Sequence, residues 1–224
     1  MNLLYRFIYT LLLFLTMLFQ NYLIEVPPET ITYTGSESYM PSSFYKALTS
    51  VEKQDVRTNI VNIARSQLGY MEGSSKKYLD GTAMSNKNYT EYGYWYGMQD
   101  AWCAMFVSWC ADLAGETNVP KHASCTTGLK VFQQKGLAHS RESIINGDYV
   151  PQPGDVIYFA DPTVLKPGKI STHVGIVTKY NNGMIYTIEG NASSNDKTIA
   201  TGGMVEEKYY SINNTYIIFV CELV

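Results

Sequence analysis

The stretch that constrains this chain most is residues 101–115, Ala-Trp-Cys-Ala-Met-Phe-Val-Ser-Trp-Cys-Ala-Asp-Leu-Ala-Gly. Positions 103, 106, 107, 110, 111 and 114 recur at intervals of three and four, which puts them along one stripe of a 3.6-residue helix. Gly115 supplies a C-terminal stop. The stretch predicts a short amphipathic helix buried against the rest of the fold. Cys103 falls in its first turn, where unpaired backbone N–H groups and the positive end of the helix dipole favour an anion. The thiolate is the attacking form of cysteine, so this is a place for the nucleophile of a cysteine hydrolase. A small buried core residue is the competing reading, because free cysteine often packs that way.

What surrounds this helix is bounded by size and charge. With 224 residues, 46% of them hydrophobic, the chain can bury a sizeable core and suits one domain plus a leader. A formal net charge of −3 offers no basic footprint for phosphate, which argues against nucleic acid as a partner. The 19 tyrosines suit a surface that binds sugars or short peptides by stacking and hydrogen bonding, or ordinary packing.

Residues 1–24 carry one cation, Arg6, ahead of an apolar run to Phe19 interrupted by Tyr9, Thr10 and Thr16. This has the charged and apolar regions of an export signal but no small-x-small cleavage site, so it reads as a signal peptide or a retained membrane anchor. Its length, about 18 residues, is at the short end for crossing a bilayer. Both readings place the remainder outside the cytoplasmic membrane, either secreted or anchored. Residues 25–50, with Val26-Pro27-Pro28 and a Thr/Ser/Gly/Glu-rich run, read as a linker, and 51–224 as the catalytic domain.

Within that domain, Val56, Ile60, Ile63, Ala64 and Leu68 repeat at helical spacing before Gly69. Residues 73–100 form a long polar segment with the aromatic cluster Tyr89, Tyr92, Tyr94, Trp95 and Tyr96, read as the wall of a groove. Asp100 stands where it can cap the helix that follows, although its charge would oppose a thiolate at 103. Residues 124–135, closed by Gly136, predict a third helix. After the turn Pro153-Gly154-Asp155 come five strand-like runs, around 156–159, 174–177, 184–188, 204–210 and 216–220. Asn181-Asn182-Gly183 is a tight hairpin signal. Helices followed by antiparallel strands predict an α+β domain, with the cysteine helix packed on a curled sheet.

Four cysteines, at 103, 110, 125 and 221, have no CxxC or zinc spacing. Cys110 and Cys125 are read as a disulfide or as two buried thiols. A thiolate needs a partner that can return a proton to a leaving amine, and imidazole titrates in the right range. His122 and His139 sit in polar, turn-like sequence, whereas His173 opens a strand. On the next strand Glu189 and Asn191 alternate to one side, and an acceptor there can fix the imidazole tautomer.

The ordered set Trp102-Cys103-Ala104-Met105-Phe106-Val107-Ser108-Trp109-Cys110, Pro153-Gly154-Asp155, Thr172-His173-Val174-Gly175-Ile176-Val177 and Glu189-Gly190-Asn191 resembles the CHAP family. These are cysteine, histidine-dependent amidohydrolases/peptidases of bacterial cell walls, grouped with the papain-like NlpC/P60 folds. The resemblance covers roughly residues 55–222. It implies Cys103 as nucleophile, His173 as base, Glu189 as the group orienting it, and Asn191 as a further polar member of the site. Trp95, Tyr96 and Trp102 are the substrate-binding candidates. It further implies a monomeric peptidoglycan hydrolase acting on an amide bond through a thioacyl intermediate, as N-acetylmuramoyl-L-alanine amidase or endopeptidase. A thioacyl transferase or transpeptidase and a non-catalytic wall-binding module are the alternatives. No cofactor is expected, and Asp80 and Glu91 are too sparse for a calcium cage, so no metal is expected either.

Overall fold

The computed structural model describes residues 3–20, 27–82, 85–192 and 202–223. Seven helices and six strands are described: α1 (Leu3–Gln20), α2 (Ser43–Thr49), α3 (Val56–Ser66), α4 (Glu91–Tyr96), α5 (Cys103–Ala114), α6 (Cys125–Lys135), β1 (Ala138–Ser140), α7 (Arg141–Ile145), β2 (Val156–Phe159), β3 (His173–Asn181), β4 (Met184–Ala192), β5 (Met204–Ser211) and β6 (Ile217–Cys221). The strands form one antiparallel, open sheet in the order β1-β6-β2-β3-β4-β5. The architecture is α+β, as the order of helical and strand-like runs predicts.

Helix α5 is the centre of the molecule. Ten of its twelve residues are buried, which exceeds the predicted stripe because α3 and α4 pack on one side and β3 and β4 on the other. A helix apolar on nearly every side is stable only when enclosed in this way. It ends where Gly115 takes a left-handed φ of 80°, freeing its N–H for the last carbonyls. Helix α3 starts at Asp55, whose carboxylate accepts from the Thr58 N–H, and turns Ile60, Ile63 and Ala64 into the core. Asn182 and Gly183, with φ of 49° and 74°, make the predicted hairpin between β3 and β4.

Residues 27–50 are not a free linker. Ile31, Tyr39 and Leu48 are fully or almost fully buried, α2 lies against α3, and Thr30 bridges Glu52. Buried Glu91 ties this segment down, its carboxylate accepting from the Tyr33 hydroxyl at 2.7 Å and from the Ser36 N–H at 3.0 Å. Each apolar anchor is isolated in polar sequence, which is why the run shows no periodicity.

The turn at Pro153-Gly154-Asp155 is fixed by an equally buried carboxylate. Asp155 receives Arg57 of α3 at 2.8 Å, the Tyr149 hydroxyl at 2.6 Å and the Gln152 N–H at 2.8 Å. These contacts lock the entry to β2 against α3, setting the sheet's position under α5. Helix α1 presents Leu4, Phe7, Leu12 and Phe14 to solvent. Among the described residues no helix is long and apolar enough to cross a membrane.

Candidate active site

The site forms where the N-terminus of α5 meets the sheet. Trp102 occupies the N-cap position of α5 and provides no side-chain cap, so the first-turn N–H groups stay available for an anion. Asp100 does not cap the helix; its carboxylate accepts instead from the adjacent Ala101 N–H at 2.7 Å. Cys103 is thus the first helical residue, beneath an uncapped turn.

His173 begins β3 and Glu189 lies near the end of β4. Ile176 pairs with Ile188 across these strands, a register that brings residue 189 alongside 175 and toward 173. Gly175 makes room for the carboxylate, because a Cβ there would stand 2.6 Å from Glu189 Cγ. The Glu189 Oε2 lies 2.9 Å from His173 Nε2, with both side chains 1% exposed. Thr187 donates to Oε1 at 2.5 Å and Tyr210 to Oε2 at 3.2 Å. The carboxylate is therefore held on both oxygens, and Nδ1 is the ring nitrogen left for Cys103.

Charge separates across this arrangement. The Cys103 thiol is held well below its usual range, first by a hydrogen bond from Cys125, then by His173 and the Ala104 N–H, against the opposing effect of burial. Burial disfavours the His173 imidazolium, but Cys103 and Glu189 outweigh it and raise its pKa to about 10. The two shifts run in opposite directions and favour the thiolate–imidazolium pair over the neutral thiol and imidazole. A thiolate so placed attacks an electrophilic carbonyl, and an imidazolium so placed protonates a leaving amine.

His122 is the second histidine near the sulfur, and the polar turn expected there is in fact closed, with the residue 3% exposed. Its Nδ1 lies 2.6 Å from the Pro120 carbonyl and 2.9 Å from Ser108 Oγ, and burial lowers its pKa. The carbonyl can only accept, so Nδ1 carries the proton and His122 is a neutral strut between α5 and the 120–125 segment. His139 stacks on Tyr149 and pairs with Glu222 on the far strands.

A cleft of about 720 Å³ opens over the sulfur, lined among others by Tyr96, Met98, Cys103, Cys125, Lys121 and Lys169. Tyr96 thus lies on the cleft wall. Trp95 is half-buried beside it, with the Lys121 ammonium 4.1 Å above its ring. Trp102 does not reach the cleft. It is wholly buried, stacked on Tyr92 with ring centroids 5.3 Å apart, and its indole N–H donates to Glu72 at 3.0 Å. An aromatic next to the nucleophile in sequence lies on the core side because one residue turns about 100° around a helix.

Asn191 is 7% exposed and takes a left-handed φ of 56° at a bulge where the β4–β5 ladder slips between Glu189 and Ala192. The two-residue alternation expected from Glu189 to Asn191 is interrupted there. At Gly190 a Cβ would meet Phe106 at 2.7 Å, so the strand end sits directly against α5. Thr187, Tyr210 and Cys125 join the site from outside the set of residues that the sequence singles out for it. Thr187 carries a signal, standing two residues before Glu189 on the same face; Tyr210 and Cys125 come from distant elements. All four cysteines are free, and the sulfur facing Cys125 is Cys103, at 3.6 Å, rather than Cys110.

A family match covers residues 93–191 and so takes in Cys103, His173, Glu189 and Asn191. Residues 93–191 match the CHAP domain. The CHAP match begins in α4 and ends in β4, spanning α5 and the His173–Glu189 hairpin. Among solved structures, an NlpC/P60 family protein from Bacillus cereus is similar at 14% identity and a TM-score of 0.41, covering 75% of this chain and 40% of that one. The crystal structure of Ly7917 is similar at 15% identity and a TM-score of 0.38, covering 76% and 63% respectively. The chain spans less than two thirds of the length of either. No curated protein matches it.

Proposed function

We propose that this protein is an extracytoplasmic peptidoglycan hydrolase, a cysteine amidohydrolase or peptidase that cuts an amide bond of the cell wall. One observation carries the reading: a buried histidine has one ring nitrogen bound to Glu189 and the other left for the sulfur at the uncapped start of α5. The CHAP match over the same residues supports it.

In this mechanism the Cys103 thiolate attacks the amide carbonyl, and the displaced electron pair on oxygen is received by the backbone N–H groups that open α5. Collapse of the tetrahedral species breaks the C–N bond, with His173 donating its proton to the departing amine. The now neutral imidazole takes a proton from water, whose oxygen attacks the thioester and releases Cys103 as thiolate. Glu189 keeps the ring oriented throughout and stabilises its charged form. Tyr96 is the aromatic wall for the glycan or stem peptide, Trp95 backs it beneath the Lys121 ammonium, and residues 1–24 export or anchor the chain.

The test is digestion of purified peptidoglycan followed by mass spectrometry of the released ends. A new L-alanine amino terminus identifies the N-acetylmuramoyl-L-alanine amidase, and a new end within the stem or cross-bridge identifies the endopeptidase. New cross-links without net release of amine contradict hydrolysis.

A further inference from the structure

Cys125 has no part in the hydrolytic steps, yet its sulfur lies 3.6 Å from that of Cys103. The two residues are the first of α5 and of α6, so two helix N-termini converge on one pair of sulfurs. Both line the cleft, and each keeps a small exposed fraction, 6% for Cys103 and 8% for Cys125. Cys110 and Cys221 are fully buried, and among the described residues no other pair of cysteine sulfurs is in contact. A disulfide has sulfurs about 2.05 Å apart, so closing this pair takes roughly 1.5 Å of combined movement at the ends of two short side chains.

We propose that Cys103 and Cys125 form a peroxide-reactive thiol pair that closes to a reversible disulfide and shields the nucleophile from irreversible oxidation. The ligand class is a small hydroperoxide, admitted by the open cleft. The Cys103 thiolate attacks one peroxide oxygen; the O–O bond breaks, a sulfenic acid forms, and the leaving oxygen takes the His173 proton as water or alcohol. Sulfur is oxidised by two electrons and the peroxide is reduced by two. Cys125 then attacks the Cys103 sulfur, the S–S bond forms and the S–O bond breaks, and the departing hydroxide leaves as water with the Cys125 proton. The depressed acidity range of Cys103 favours the first step, and the thiol hydrogen bond from Cys125 pre-positions the second. Because the site's first step needs only a reactive thiolate, the proposal extends the assignment of Cys103 without depending on the wall substrate.

The experiment treats the purified full chain with a small excess of hydrogen peroxide, blocks remaining thiols, and analyses tryptic peptides by mass spectrometry. Trypsin cuts at Lys121 and so separates Cys125 from the peptide that carries both Cys103 and Cys110, and fragment-ion spectra of any linked pair assign the bonded sulfur within that peptide. The expected result is a Cys103–Cys125 cross-linked peptide as the main product, lost on treatment with dithiothreitol. In Cys125→Ser the expected products are the sulfinic and sulfonic acids of Cys103, accumulating at least tenfold faster than in the wild type. The proposal is overturned by cross-links to Cys110 or Cys221, by an unreacted pair, or by equal over-oxidation of Cys103 in the two proteins. If the cross-link forms in a protein that releases no wall fragments, the hydrolase reading fails and the thiol pair stands.

Discussion

Glu189 grips the Nε2 side of His173 at 2.9 Å in a pocket from which water is almost entirely excluded, and Thr187 and Tyr210 hold the carboxylate in turn. A carboxylate so restrained has one geometry to offer the ring, and replacing it disturbs orientation and charge together. Glu189→Gln keeps the shape and removes the charge. The expected outcome is a fall in kcat of about 10²–10⁴-fold with KM little changed. In steady-state profiles, the alkaline limb also moves below its wild-type position.

That limb follows from the charge state. Activity on this mechanism requires the imidazolium, so kcat/KM falls as pH rises through about 10, the value at which His173 loses its proton. The same shift bears on stability: a histidine raised from 6.5 contributes stability that is full below pH 6.5 and gone above about 10. In Cys103→Ala the thiolate that helps raise His173 is absent. NMR titration of the ring should then give a midpoint below 10, and an unchanged midpoint would separate the two residues.

Gly175 is present because the Glu189 side chain passes over it. Gly175→Ala places a methyl group 2.6 Å from Glu189 Cγ, and either strand or carboxylate must shift. Overpacking of this kind costs about 1–3 kcal/mol. Thermal unfolding should show the lowered Tm, and wall-digestion assays an activity loss of at least tenfold, larger than the stability change alone explains.

The two aromatic residues on either side of the site should respond differently. Trp102→Phe removes the indole N–H that serves Glu72 inside the core and leaves that carboxylate short of a donor, at a cost of about 1–3 kcal/mol with KM unchanged. Tyr96→Ala, on the cleft wall, should raise KM severalfold with little loss of Tm. Steady-state kinetics beside denaturation curves distinguish the two.

Much of this site could be read from local pattern. The spacing of 103, 106, 107, 110, 111 and 114 marks α5, Asn182-Gly183 marks the hairpin, and that hairpin is what carries His173 and Glu189 on adjoining strands. Contacts between distant segments left no such trace. Cys125 meets Cys103 only because α6 folds back beside α5, and Tyr210 reaches Glu189 from β5. Residues 27–50 look like a linker because Ile31, Tyr39 and Leu48 are spread through polar sequence, each buried by tertiary packing rather than by a repeating face. Trp102 looked available to substrate for the opposite reason, since proximity to Cys103 in sequence says nothing about which side of α5 a ring occupies.

The measurement closest to the central claim is the rate at which Cys103→Ala releases new amino groups from purified peptidoglycan, compared with wild type, with circular dichroism to verify the fold. A nucleophile at the start of α5 predicts a loss of at least about 10³-fold. Release at the wild-type rate by a folded variant would contradict it.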